Sequence, residues 1–515
     1  MRLVGAADMR AIDRAAIAGG IPSLVLMERA GGAVAAAAAA LAGPDGRIRV
    51  VCGGGNNGGD GYVAARLLRQ SGRDVAVLAL VPAERLTGDA GVVRSQAVAS
   101  GVPVEDAAAA PEEPSPLALG AAPGDVVVDA IFGTGLSRAP EGLFERAIAA
   151  IDGARRSGAK VLAVDVPSGL SADTGRPMGR CVQADRTVTF AFQKRGLVIQ
   201  PGAALAGEVS VADIGIPPAA AAVVAVEAEL LTAELARALV PPRRPDAHKG
   251  DAGRLLVVAG SPGKTGAAHL ALTGALRGGA GLVTLAARPE VLPLALAGRP
   301  EAMSVALEGQ GPIGPPDLAA LLAAARGQDA LVIGPGIPRG PATGAVLREL
   351  LARAGIPAVL DADALNALAE HPSGAVWLGP PVVVTPHPGE MARLCQTDVA
   401  GVEADRIGLA VAKARAWGVT VVLKGARTVV AGATGPAAVI PTGNPGLATG
   451  GTGDVLAGLC GALLASGLEA PAAARVAAWV HGRAGDLVAA RLGQRGLVAG
   501  DLGQAIGEVW AEWGR

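Results

Sequence analysis

VVCGGGNNGGDGYVAARLL, residues 50–68, decides the fold. A short aliphatic run enters a loop of glycines, two asparagines and an aspartate, and a helix-compatible stretch follows. Strand, small-residue turn and helix in that order open a β-α-β unit. The rhythm recurs through the first half in DVAVLAL (74–80), DVVVDAIF (125–132), KVLAVDV (160–166) and RTVTFAF (186–192), after its first instance in RIRVVC (47–52). In the second half it recurs in RLLVVAG (254–260), GLVTLAA (281–287), DALVIG (329–334), PAVLDAD (357–363), PVVVTP (381–386) and VTVVLKG (419–425). Continuous Val/Ile/Leu runs suit strands buried on both faces, as in parallel sheets, and the Ala/Leu stretches between them supply crossover helices. The expected fold class is α/β, with two three-layer α/β/α domains. The rhythm pauses over 217–250, which is Ala-rich and then Pro/Arg-rich. The expected organisation is a domain over 1–222, a linker over 223–245 and a second domain over 246–515. Residues 103–124 read as a surface excursion of the first domain, and PPRRP (241–245) as linker.

Composition narrows the function. Of 515 residues, 75 are Gly and 37 are Pro. Together they are about 22%, below the roughly 25–30% at which low complexity becomes the reading. A hydrophobic share of 51% argues against disorder. Net charge is −1, and the aromatics are five Trp, four Phe and one Tyr, so neither a basic footprint nor stacking platforms for nucleic acid are present. Cys52, Cys181, Cys395 and Cys460 form no CxxC pair, and His248, His269, His371, His387 and His481 are scattered, which leaves little basis for zinc or a disulfide framework. The N-terminus lacks an apolar signal core, and the longest apolar run, AVAAAAAALA at 33–42, is about half of what spans a bilayer. A cytoplasmic protein without a membrane partner is expected.

In the opening stretch, glycines 53, 54, 55, 58, 59 and 61 are expected to permit positive φ and close backbone approach to a ligand, with helix N-terminal amides favouring a pyrophosphate. Asn56, Asn57 and Asp60 crowd the loop, so it is not the ordinary dinucleotide fingerprint; their polar groups can hold an ion or a polar ring. Two further strand ends carry DAIFGTGLSR (129–138) and DVPSGLSADTG (165–175). Ligands of open parallel sheets sit beyond the carboxyl ends of the strands, so Asn57, Asp129, Asp165 and Ser168 are expected to converge there. Their oxygen donors suit a hard cation, and Asp165 is a candidate acid/base. Capping or turn formation is the alternative for each aspartate alone.

The second half carries NPGLATGGTGDVLAGLCGALLA (444–465). Its small residues at a helix start would gather backbone amides around a transferring phosphoryl group, with Asp454 placed to accept a hydroxyl proton. GSPGKTGAAHL (260–270) is not a Walker motif, because Val258 stands where the first Gly is required. It remains a Gly loop opening a helix. Lys424 ends a strand where it could meet nucleotide phosphate or simply face solvent. Asp361 and Asp363 could orient substrate or magnesium through water, or cap a helix. His387, between two prolines and near Glu390, is a candidate ligand contact, although a histidine of this kind alone is more often structural.

GGGNNGGDG, DAIFGTGL, DVPSGLSADTG and FQKRG (192–196) together resemble the NAD(P)H-hydrate epimerase domain, over about residues 5–220. MRAIDRAAIAGGIPSLVLMERAG (9–31) resembles that family's N-terminal segment. The resemblance implies a Rossmann-like domain in which Asn56, Asn57, Gly58, Gly59, Asp60, Gly133, Thr134, Gly135, Leu136, Ser137, Arg138 and Ala139 contact the hydrated dinucleotide. It further implies that Asn57, Asp129 and Ser168 hold potassium and that Asp165 binds substrate and transfers a proton. Lys194 matches the family's lysine. The Gly-rich 450–454 loop resembles the anion hole of ribokinase-like kinases. With GPGI (334–337), LDADALN (360–366), TPHPGEMARL (385–394) and LKGART (423–428), it resembles the nucleotide-dependent NAD(P)H-hydrate dehydratase domain, over about 230–510. That resemblance implies substrate contacts at Ala267, Gly336, His387 and Asp454. Nucleotide contacts would fall at Lys424, Gly425, Ala426, Arg427, Thr428 and Gly453, with magnesium present and ADP as co-substrate. The expectation is a two-activity repair enzyme acting on the R and S hydrates of NADH and NADPH (NADHX and NADPHX), as a homo-oligomer. The rival is a ribokinase-like small-molecule kinase with a non-catalytic first domain.

Overall fold

The computed structural model describes residues 1–107, 117, 119–370 and 381–515. Residues 108–116 and 118 of the expected surface excursion at 103–124, and His371, lie outside the described residues. Two compact units divide the chain, Arg2–Glu227 and Ala228–Arg515.

The first unit contains β1 (Arg2–Val4), β2 (Ile48–Cys52), β3 (Val75–Ala79), β4 (Val104–Asp106), β5 (Val126–Ala130), β6 (Lys160–Val164), β7 (Arg186–Phe190), β8 (Gln193–Lys194) and β9 (Glu208–Ala212). Among the described residues seven of these form one parallel sheet in the order β4-β3-β2-β5-β6-β7-β9, while β1 pairs with β8. Alternation along β5 shows why such strands are apolar throughout. Val126, Val128 and Ala130 enter the core shared with the helices Ser23–Leu41 and Asn56–Gln70, whereas Val127 enters the core under the helix Leu143–Arg156. Each fully buried Val contributes roughly 1.5–3 kcal/mol. The helix Ser23–Leu41 is, by length and composition, able to cross a membrane. Here it presents Leu26, Ala30, Val34 and Ala38 at helical spacing to the first core.

The second unit contains β10 (Ala228–Leu230), β11 (Arg254–Val258), β12 (Leu282–Ala287), β13 (Ala302–Ala306), β14 (Ala330–Ile333), β15 (Ala358–Leu360), β16 (Val382–Val384), β17 (Thr420–Leu423), β18 (Val429–Ala431) and β19 (Ala437–Val439). Their order is β13-β12-β11-β14-β15-β16-β17-β18-β19-β10. Neighbours run parallel except that β18 is antiparallel to both β17 and β19. The stretch expected as linker holds β10, in register with β19, and the helix Ala233–Ala238. A three-residue strand reading Ala-Glu-Leu leaves no aliphatic run to signal it.

Helices cover both faces of each sheet, so both units are three-layer α/β/α. In the second unit the helices Thr265–Arg277 and Thr452–Ala465 press backbone to backbone. A methyl on Gly274 would strike the Val455 carbonyl, and one on Gly458 the Ala271 carbonyl.

Candidate active sites

In the first sheet the strand order reverses between β2 and β5, so the loops leaving these neighbours part and open a crevice. A cavity of about 480 Å³ lies there, lined by Asn56, Asn57, Asp60, Gly133 to Leu136, Asp165 and Lys194. The structure thus brings the three expected loops together. Of the expected dinucleotide contacts, Gly58, Gly59, Ser137, Arg138 and Ala139 are not among the lining residues: the two glycines pack against Gly53 and Met27, and the 133–139 loop lines the cavity only as far as Leu136.

Glycines 53, 58, 59 and 61 of the opening motif serve packing, and none of the six has positive φ, which corrects the expectation of left-handed turns. A methyl on Gly61 would sit 2.6 Å from the Ala130 Cβ and 2.9 Å from the Cys52 Sγ. Gly58 abuts the Gly53 carbonyl, and a methyl on Gly59 would lie 2.6 Å from the Met27 Sδ. The helix Asn56–Gln70 therefore lies flat on the sheet, with its N-terminus at the cavity.

Asp165 is the non-glycine residue with positive φ (65°) at this site, a conformation that Asp tolerates better than most side chains. Its Oδ1 lies 2.6 Å from the Lys194 Nζ and accepts from the Thr189 Oγ1 at 3.0 Å. Lys194 is 1% exposed and also donates to the Thr189 Oγ1 (2.9 Å) and the Phe190 carbonyl (3.0 Å), which uses its three protons. The fully buried Asp129 accepts from Ser168 twice, from N–H at 2.8 Å and Oγ–H at 2.6 Å. Burial pushes its carboxyl up to about 6 against the pull of those bonds. Ser168 Oγ in turn accepts from the Phe132 N–H at 2.9 Å. Gly133 marks the convergence: a methyl there would be 2.9 Å from the Asn57 Oδ1 and 3.1 Å from the Asp165 Oδ2. Asn57 Nδ2 is buried without a hydrogen-bond partner.

The second sheet repeats the arrangement, with reversal between β11 and β14. The loops there interlock. The Ser261 Oγ donates to the Gly336 carbonyl (2.8 Å), and a methyl on Gly336, whose φ is 64°, would lie 2.9 Å from the Ala267 Cβ. Asp454 sits in the first turn of Thr452–Ala465, after Gly451 with φ of 92°. Burial is the main cause that pushes Asp454 up to about 7. Asp361, Asp363 and Glu390 add to it, and Lys424 opposes it. Lys424 Nζ lies 2.7 Å from the Asp361 Oδ1 and 3.9 Å from the Glu390 Oε2. Burial disfavours its charge, but Asp361 and Glu390 outweigh that and hold the ammonium above its usual range. A methyl on Gly453 would be 3.3 Å from this ammonium, so Lys424, Gly453 and Asp454 form one cluster. The rest of 424–428 is the turn joining β17 to β18, where Arg427 donates to the Pro441 carbonyl and Thr428 to the Gly425 carbonyl.

His387 caps the helix Pro388–Cys395: its Nδ1 accepts from the Gly389 and Glu390 N–H groups, at 3.0 and 3.4 Å. The ring is half exposed, and burial, then Lys424 and Arg393, lower its affinity for a proton. The structural role and an open ring edge therefore coexist. Asp363 is paired with Lys264 (3.0 Å) and Arg339 (3.0 Å).

Three groups escaped the sequence reading. Asp13 and Arg10 line the first cavity from the helix Ala6–Ala18. Asp13 stands beside the apolar positions Met9, Ile12 and Ala16, and that break in the pattern was the available signal. Buried His481 bonds through Nε2 to the Thr452 carbonyl at 2.8 Å, and burial pushes it down to about 4.

Both units resemble known proteins. Residues 255–507 match the NAD(P)H-hydrate dehydratase family, and residues 23–196 the YjeF-related protein N-terminus. The chain is 45% identical to the bifunctional NAD(P)H-hydrate repair enzyme of Moorella thermoacetica, over 98% of this chain and 95% of that one. It belongs to the bifunctional NAD(P)H-hydrate repair enzyme family. The Escherichia coli K12 member of the family is 38% identical over 94% of this chain and 88% of its own length. A ribokinase-like superfamily protein of Enterococcus faecalis V583 superposes with a TM-score of 0.50 at 26% identity, covering 56% of this chain and 96% of that one. The first unit is Rossmann-like and the second ribokinase-like, the pairing that the family implies.

Proposed function

We propose that the chain repairs hydrated nicotinamide cofactors. The first unit interconverts the R and S hydrates of NADH and NADPH, and the second dehydrates the S form with ADP, giving AMP and phosphate. The observation that carries this is the presence of two chemically equipped sites at strand-order reversals, one around Asp165–Lys194 and one around Asp454. Hydroxide is a poor leaving group. In the second unit Asp454 takes the hydroxyl proton as that oxygen attacks the β-phosphorus of ADP and AMP departs. The 450–454 backbone amides stabilise the transferring group. Loss of phosphate from one ring carbon and of a proton from its neighbour restores the double bond. Ala267, Gly336 and His387 border the substrate, while Lys424 to Thr428 and Gly453 meet the nucleotide.

Asn57, Asp129 and Ser168 fit potassium. Their donors are oxygens, and the orphaned Asn57 amide can rotate its carbonyl towards a cation. Such an ion supplies a fixed positive charge beside the substrate. Among the described residues no carboxylate cage is preassembled for magnesium: Asp361 and Asp363 are committed to cationic partners. That agrees with an ion carried mainly by nucleotide phosphates. The working assembly is a cytoplasmic homo-oligomer.

The test supplies each pure hydrate with ADP and follows absorbance at 340 nm. The S-hydrate recovers through the second unit alone, and the R-hydrate only when the first unit also works. No gain from S-hydrate refutes the dehydratase assignment. Recovery of R-hydrate no faster than its spontaneous epimerisation refutes the epimerase assignment.

A further inference from the structure

Among the ionisable groups that line the first-unit cavity without a part in the chemistry above is Asp13. Asp13 lines it together with Met9 and Ile17, four residues to either side on the helix Ala6–Ala18, so one face of this helix forms a wall of the site. Gly133 and Asp165, beyond the carboxyl ends of the strands, line the same cavity, and Asp13 is close enough to feel the charges of Asp165 and Lys194. Asp13 makes no hydrogen bond or ion pair among the described residues. A partly buried carboxyl without a partner is costly, and a position amid Met9, Ile12 and Ala16 would take an apolar residue more cheaply. Facing it are Lys194 from β8, Asp165 beyond β6 and Asp60 from the helix Asn56–Gln70, with Asp89 and Arg10 also on the cavity. Burial chiefly, and then Asp165 against the pull of Lys194, leave Asp13 titrating near about 6, so near neutral pH it can carry or lack a proton. Asp165 lies 2.6 Å from the Lys194 ammonium.

Water adds to a dihydronicotinamide at the enamine carbon beside the ring nitrogen. The hydroxyl carbon can therefore invert through a planar iminium, with the carbon–oxygen bond broken on one face and re-formed on the other. A single carboxyl on one wall cannot serve both faces. We propose that Asp13 is the second proton-transferring residue of this site, acting on the ring face opposite Asp165. Protonated Asp13 donates to the leaving hydroxyl, the carbon–oxygen bond breaks as water departs, and the nitrogen lone pair forms the iminium. A second water adds from the Asp165 side and gives its proton to that carboxylate. In the reverse direction the two carboxyls exchange roles, so no net proton is consumed.

This inference rests on the epimerase reading, and the full chain separates the two. Asp13→Asn and Asp13→Glu are assayed with R-hydrate and ADP, and with S-hydrate and ADP as the control. Expected for Asp13→Asn is a fall of roughly 10²-fold or more in kcat for R-to-S conversion, the range of one acid/base group, with KM within about threefold and S-hydrate turnover unchanged. Asp13→Glu should recover at least tenfold of that loss. Should Asp13→Asn not fold, Asp13→Glu alone must shift the limb of the R-hydrate pH profile on which activity is lost as Asp13 deprotonates with rising pH. An Asp13→Asn kcat within about threefold of wild type, a loss confined to KM, or an unaltered Asp13→Glu profile overturns the proposal. Wild-type protein that recovers S-hydrate but not R-hydrate overturns the epimerase reading itself.

Discussion

The second-unit mechanism makes Asp454 a base whose usefulness depends on its charge, and its surroundings set the pH at which that charge appears. Burial, with Asp361, Asp363 and Glu390 close by, pushes the carboxyl from 3.8 up to about 7. A raised carboxyl is protonated, and idle as a base, below its midpoint. Dehydration of S-hydrate should therefore fall as pH drops through about 7, losing roughly tenfold per further pH unit, and level off above about 8. An unperturbed aspartate would keep full activity to below pH 5. Asp454→Asn removes the base and should lower kcat by about 10²–10⁴-fold, or about 3–5 kcal/mol of barrier, and abolish the limb near 7. Initial rates at 340 nm with saturating ADP, in buffers from pH 5 to 9, measure both effects. An acid limb near 4 in the wild type, or an Asp454→Asn variant that keeps a tenth of wild-type kcat, would refute the reasoning.

Lys194→Met strands Asp165 without its ammonium. The expected cost is about 3–5 kcal/mol, seen as a lower denaturation midpoint of the first unit, together with loss of R-to-S conversion and little change with S-hydrate. Lys424→Met exposes the same weakness in the second unit, because Asp361 is 1% exposed. A similar destabilisation is expected, and adding Asp361→Asn should restore most of it in a thermal melt. Gly61→Val tests the packing account of the opening motif. Its side chain meets Ala130 and Cys52, so a loss of at least about 1–3 kcal/mol in urea denaturation is expected where a ligand-clearance role predicts none.

Strands buried on both faces were legible because each reads as an apolar run: all eleven such runs became strands, with ends trimmed by up to three residues. What escaped was short or half exposed. β9 and β13 have no fully buried residue, and β18 and β19 form an antiparallel excursion of three residues each. At the sites, Asn57, Asp165 and Asp454 announce themselves by sitting where a strand or Gly loop ends. Asp13 does not, since it lies far from any such loop in sequence and reaches the cavity only through the packing of its helix. The motif glycines were visible, but composition cannot distinguish a glycine that needs an unusual φ from one that makes room for a neighbour's carbonyl.

The glycine contact between Thr265–Arg277 and Thr452–Ala465 has a mechanical consequence. Ala267 rides on the first of these helices and Asp454 on the second, and with no side chain between their backbones the two move as one beam. Substrate rim and proton acceptor then keep a fixed spacing through the catalytic cycle. The turn of Lys424 to Thr428 lies between two strands instead, and meets this beam where Lys424 approaches Gly453.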